Sequence, residues 1–114
     1  MTTVDPGDLP AAITRYLDAQ RSRTAGAVAD VFTPDAVVID DGRTYATTGQ
    51  ITDWLASAAT EYTYTTTPTA ARRDGDTHYV VVNHLEGDFP GGQVDLNFRF
   101  TLRDGRISAL TIEP

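Results

Sequence analysis

Hydrophobic residues in the second half of the chain recur with a period of two. Val94, Leu96, Phe98, Phe100 and Leu102 alternate with Asp95, Asn97, Arg99, Thr101 and Arg103, which predicts a strand with one core face and one face for water or a subunit contact. Asp74-Gly75, the segment Gly87-Asp88-Phe89-Pro90-Gly91-Gly92, and Asp104-Gly105 read as turns. They divide this half into strands from Tyr62 to Arg73, Thr77 to Glu86, Gln93 to Arg103 and Arg106 to Glu113. The first half follows a helical period instead. Ile51, Trp54, Leu55, Ala58 and Ala59 fall on one stripe behind Thr47 and Gln50, which stand at capping-box spacing.

A first helix is expected from Asp8, with Leu9, Ile13, Tyr16, Leu17 and Gln20 on its apolar stripe. A short second helix is expected from about Thr24, with Val28, Val31 and Phe32 as its apolar edge and Pro34 as its stop. Between the second and third helices, the β-branched run from Ala36 to Asp40 turns back at Asp41-Gly42 into Arg43 to Ala46, a small hairpin. Helices first and strands afterwards argue for an α+β fold and against a βαβ repeat. The expected architecture is three N-terminal helices packed on a curved antiparallel sheet around a small apolar pocket.

Composition narrows the function. The 114 residues, 40% of them hydrophobic, suffice for one core, so a single domain over 1–114 is expected, with residues 1–7 flexible. Cysteine is absent, which excludes disulfides, thiolate metal sites and a cysteine nucleophile. The net charge is −7, and all nine basic residues are arginine, with no cluster beyond Arg72-Arg73. Nucleic acid is therefore an unfavourable partner, and the acidity reads as a solvated surface. No apolar run reaches the length of a membrane span and the start lacks a signal-peptide pattern, so no membrane contact and a cytoplasmic location are expected.

The order helix, helix, short hairpin, helix and long meander resembles the cone-shaped fold of the nuclear transport factor 2-like superfamily. Within it, the chain is similar to SnoaL-like polyketide cyclases and to ketosteroid isomerases. Arg15-Tyr16, Phe32-Thr33-Pro34-Asp35-Ala36-Val37-Val38-Ile39-Asp40, Ile51-Thr52-Asp53-Trp54-Leu55, the Gly87 to Gly92 segment and Phe98-Arg99-Phe100 carry the resemblance. It implies an isomerase, cyclase or hydratase without a cofactor, in which Tyr16 matches an oxyanion donor and Asp40 a proton-shuttling base. The isomerases place a second, protonated acid where Leu96 stands here. The resemblance also implies a homodimer, for which Asn97, Arg99 and Thr101 on the outer sheet face are the candidate contacts.

Each candidate carries two readings. An aspartate projecting from a strand end into an apolar cavity has its charged form disfavoured, which suits it to move a proton beside a carbonyl; Asp40 is equally placed to start the Asp41-Gly42 turn. Tyr16 is a core aromatic or a donor, and Trp54 is core packing or pocket wall. His78 stands beside a turn and is expected in solvent. His84 faces inward opposite Leu96 if the hairpin centres on Pro90; a half-residue shift turns it outward, opposite Asn97, and brings Asn83 into the pocket instead. Phe32, Val38, Trp54, Asn83, Leu96 and Phe98 are the expected walls for a small hydrophobic ligand, with Asp40, Tyr16 and His84 as the chemical groups. Two distant histidines without carboxylates at metal spacing predict no metal, and no serine lies in a nucleophile elbow. A non-catalytic ligand-binding or dimeric interaction domain is the other reading of the same features.

Overall fold

In the computed structural model the alternating half of the chain forms most of one seven-stranded sheet. The structure describes residues 2–22, 30–60 and 64–114, except for the side chains at 6, 20–22 and 58–60. The elements are β1 (Thr2–Thr3), α1 (Ala11–Ser22), β2 (Phe32–Asp40), β3 (Arg43–Tyr45), α2 (Thr48–Thr60), β4 (Tyr64–Asp74), β5 (His78–Gly87), β6 (Gln93–Arg103) and β7 (Arg106–Glu113). Their order across the sheet is β1-β4-β5-β6-β7-β2-β3, and among the described strands only β2 and β7 pair in parallel. Register shifts interrupt three of the pairings, at Phe32/Val37, Pro68/Ala70 and Thr101/Leu102, and such bulges bend a strand.

The local chemistry explains the boundaries. Asp41 and Gly42 both have positive φ, as do Asp104 and Gly105, the backbone of a type I′ hairpin turn that Asp-Gly tolerates best. α2 begins as its spacing predicts: the Gln50 amide donates to Thr47 Oγ1 at 3.1 Å, and the Ala46 amide donates to Gln50 Oε1 at 2.9 Å. α1 begins at Ala11 and not at Asp8, which ends a separate 3₁₀ turn over Pro6–Asp8. Leu9 precedes a proline and is held extended, and the first helical bond runs from the Thr14 amide to the Pro10 carbonyl.

Two further expectations meet the structure differently. The second helix, from about Thr24, lies largely outside the described residues. Its expected last residue, Phe32, opens β2 and pairs with Ile107, after Asp30 and Val31 complete only a 3₁₀ turn. Pro34 is accommodated in β2 because the pairing with β7 is irregular there and β3 covers only Val38 to Asp40, so no ladder bond is lost. In the first seven residues, Thr2 and Thr3 pair with Arg73 and Arg72, and the Val4 amide donates to the Ala71 carbonyl.

The core lies between the inner sheet face and the two helices. Ile13, Tyr16 and Leu17 of α1 and Ile51, Trp54 and Leu55 of α2 are buried against Val38, Val81, Phe98, Phe100, Ile107 and Leu110. Burial of each such large side chain contributes about 1.5–3 kcal/mol relative to exposure, so the alternation in β6 is itself a folding signal.

Candidate functional site

Asp40 is the last residue of β2, held in register by Arg43 of β3 on one side and Ile112 of β7 on the other. The side chain is half-buried, and its Oδ2 accepts a hydrogen bond from the Trp54 indole Nε1 at 2.9 Å. The stripe of α2 thus delivers a donor to the end of a strand fourteen residues earlier. A bond to a charged acceptor is worth about 1.5–3 kcal/mol and fixes one oxygen. Asp41, with φ 53°, forms the turn.

Both aspartates border a cavity of about 600 Å³ at the open end of the cone. Its walls are Trp54 from α2, Tyr64 from β4, Leu85 from β5, Val94, Leu96 and Phe98 from β6, Ile112 and Glu113 from β7, and Phe89, Pro90 and Pro114 near the rim. The β5–β6 turn is closed by the Gly87 amide on the Gly92 carbonyl at 2.9 Å, which places Phe89 and Pro90 over the opening. Asp40, Asp41 and Glu113 are acidic side chains of this wall, and among the described residues no arginine or histidine joins them. Glu113 accepts from Arg99 Nε at 2.7 Å on the outer side. An apolar cavity with an acidic rim suits neutral or cationic ligands and repels anions.

The turn also decides between the two polar candidates of β5. His84 pairs with Asp95 and Asn83 with Leu96, so the hairpin centres between Phe89 and Pro90. His84 is thereby on the outer face and cannot act in the cavity, a correction to its place among the chemical groups. Its Nδ1 lies 2.6 Å from Asp95 Oδ1 and its Nε2 3.0 Å from Glu86 Oε1, and these carboxylates, Glu86 foremost, hold it above the usual histidine range. Asn83 faces inward and is fully buried, but it does not line the cavity, a correction to its place among the expected walls. Among the described residues, neither polar atom of its amide has a partner.

The geometry is that of a known family. A family model for the SnoaL-like domain matches residues 13–110. The chain belongs to the SnoaL-like family. No curated protein matches it. The crystal structure of a proposed polyketide cyclase from Sinorhizobium meliloti is 34% identical, with a TM-score of 0.88 over 96% of this chain and 100% of the other. A protein with a ketosteroid isomerase-like fold from Catenulispora acidiphila, in complex with trimethylamine, is 22% identical, with a TM-score of 0.79 over 92% and 85%. An epoxide hydrolase/cyclase-like enzyme of pyran ring formation in salinomycin, SalBIII, is 17% identical, with a TM-score of 0.76 over 90% and 86%. The last two show a shared fold alone, an α+β fold with a curved sheet that is nuclear transport factor 2-like, as in a protein from Cytophaga hutchinsonii that is 8% identical with a TM-score of 0.71 over 89% and 84%.

Within this SnoaL-like frame the structure sorts the remaining candidates. Trp54, Leu96 and Phe98 line the cavity with Asp40. Val38 is core and Phe32 packs edge-on against Tyr16 at 6.0 Å, borders a second, smaller pocket, and does not line this cavity. Tyr16 is enclosed behind the wall, stacked parallel to Trp54 at 6.4 Å and edge-on to Phe100 at 5.8 Å. Burial, then the charges of Tyr64 and Asp40, push its hydroxyl well above the usual tyrosine range, so Tyr16 stays protonated. Tyr64 was missed by sequence reasoning, because the start of β4 carries no alternation that distinguishes it. Among the described residues, no group of three histidine, aspartate or glutamate side chains gathers to hold a metal ion.

Proposed function

We propose that this SnoaL-like protein is a cofactor-independent enzyme of the isomerase, cyclase or hydratase type, acting on a small hydrophobic carbonyl compound. One observation carries the reading: a half-buried carboxylate, Asp40, stands on the wall of an apolar cavity with one oxygen fixed by Trp54. Asp40 removes a proton beside the carbonyl and returns it elsewhere. Trp54 positions that base. The phenol of Tyr64, on the wall, polarises the carbonyl oxygen, and Tyr16 stays protonated behind Trp54 and keeps the inner surroundings of Asp40 neutral. General base catalysis of this kind contributes about 10²–10⁴-fold.

Exchange of α-protons for deuterium on cavity-sized cyclic ketones, followed by NMR, tests the reading without the natural substrate. The parent should accelerate exchange, Asp40→Asn should remove the acceleration, and Tyr64→Phe should reduce it more than Tyr16→Phe. Ketones that quench the fluorescence of Trp54, the chain's single tryptophan, yet exchange no faster would make this a ligand-binding domain instead. The protein acts as a homodimer through the outer sheet face, where Arg99 and Thr101 stand. Light scattering should return twice the 12.3 kDa of one chain; the single-chain mass at micromolar concentration would remove the dimer.

A further inference from the structure

Among the described residues, three polar atoms on the inner face of the sheet near the cavity have no hydrogen-bond partner: Asn83 Nδ2, Asn83 Oδ1 and Thr66 Oγ1. Asn83 is fully buried and Thr66 nearly so. The pairing of β4 with β5 sets Thr66 opposite Leu85 and Asn83 opposite Pro68, and β6 sets Leu96 beside Asn83. Asn83 and Thr66 are therefore diagonal neighbours on one face, about 7–8 Å apart at most between their Cβ atoms. Leu85, which borders both, and Leu96, which borders Asn83, are cavity walls, as is Tyr64 two residues before Thr66.

The sequence around the pair offers it nothing. Val81, Leu85, Leu96 and Pro68, the inner-face neighbours of Asn83, carry no polar side-chain atom. Each buried polar group left unmatched opposes folding, and native chains keep few of them without a purpose. An amide and a hydroxyl also differ in kind from the acidic rim. They are neutral, they donate and accept, and they match an oxygen that does either.

We propose that Asn83 and Thr66 form an inner binding subsite of the cavity, which takes a neutral hydroxyl or carbonyl oxygen at the far end of an otherwise apolar ligand. This rests on the reading of the cavity given above, and it deepens that reading by defining the substrate class: a compound oxygenated at both ends, its reacting carbonyl at Asp40 and its second oxygen against Asn83. Leu85 and Leu96 line the cavity and Asn83 does not, so the side chains of these leucines shift to admit that oxygen.

Three fused-ring probes of one size separate the possibilities: a ketone, an alcohol and a ketone bearing the alcohol at its far end. Binding is read from Trp54 fluorescence, with Asn83→Leu and Thr66→Val compared to the parent. The alcohol and the hydroxyketone should each lose about tenfold in affinity in Asn83→Leu, the change expected for one hydrogen bond, and less in Thr66→Val, while the plain ketone is unchanged. Equal loss for all three probes, or none, overturns the subsite and makes Asn83 a packing residue satisfied by internal water. If the alcohol responds and neither ketone exchanges protons, the subsite stands and the base assignment falls. If the ketones exchange and the alcohol does not respond, the outcome is reversed. Asn83→Leu should unfold at a denaturant concentration no lower than the parent; a lower midpoint would show a paired amide and also overturn the proposal. Thr66→Val, nearly isosteric, should likewise unfold no earlier than the parent, and it repeats the binding test without the change of shape that Asn83→Leu brings.

Discussion

Asn83 and His84 are adjacent in β5, yet the inner face leaves Asn83 without a hydrogen-bond partner while the outer face sets His84 between Glu86 and Asp95. By density of charged contacts, the outer cluster looks like the chemical centre. Solvent reverses that impression. The imidazole is part-exposed and its carboxylates are exposed, where water already serves polar groups and an ion pair contributes little. Inside, an unmatched polar atom costs about 1–3 kcal/mol, so polarity that persists there points to a ligand. In this cone, unfilled hydrogen-bonding capacity is a better guide to the site than filled capacity.

The sharpest test of the inner face is Trp54→Ala, which should lose about 3–5 kcal/mol in urea unfolding, because it removes the stack on Tyr16 and the donor to Asp40 together. Trp54→Phe keeps a ring and loses only the donor, so about 1.5–3 kcal/mol is expected. A loss under about 1 kcal/mol for the alanine variant would mean the inner face is not where this end of the fold is held. Asp40→Asn comes next. The amide still accepts from the indole and no longer places a charge against apolar walls, so its denaturant midpoint at neutral pH should equal or exceed that of the parent. A loss on the order of 1 kcal/mol would make Asp40 a structural turn residue and remove the motive for calling it a base.

On the outer face the effects are smaller and depend on pH. Because Glu86 and Asp95 raise His84 above its unfolded value, its contribution is complete below about pH 6.5 and is lost as pH rises through the folded value. Unfolding midpoints from about pH 5 to pH 9 should therefore decline more in the parent than in His84→Gln; parallel curves would break the comparison. The mildest effect belongs to Asp35. Arg103, donating through Nη1 at 2.9 Å, holds this exposed carboxyl down to about 2. Its contribution is present above the ordinary carboxylate range and disappears as pH falls towards 2, which carboxyl chemical shifts would follow in parent and Arg103→Gln.

The meander was legible because alternation is a local property. β6 and β7 begin and end where their apolar residues and Asp-Gly turns require. α2 was legible for the same reason, its cap and stripe being contained in thirteen residues. Register was not. Whether Asn83 or His84 faces inward depends on half a residue in the turn, and composition cannot distinguish a hairpin centred on Pro90 from one centred half a residue to either side; His84 stands opposite Asp95 and not Asn97. The bond from Trp54 to Asp40 escaped notice because it joins two elements whose relative placement only the packed core determines. Phe32 was misplaced because an apolar residue before a proline fits a helix end as well as the start of a strand.

The sheet's two outermost strands, β1 and β3, are only two and three residues long, and β1 covers β4 at Arg72 and Arg73 alone. Among the described residues, β4 from Thr65 to Ala70 has no strand beside it on that side. A bare edge of that length invites a second chain to add itself. Pro68 interrupts it, since it has no N–H to offer, and the bulge beside it throws the ladder out of step. The residue that stands opposite Asn83 thus also acts as a guard against stacking into fibres, and replacing Pro68 by a β-branched residue would open the protein to aggregation before it altered the cavity.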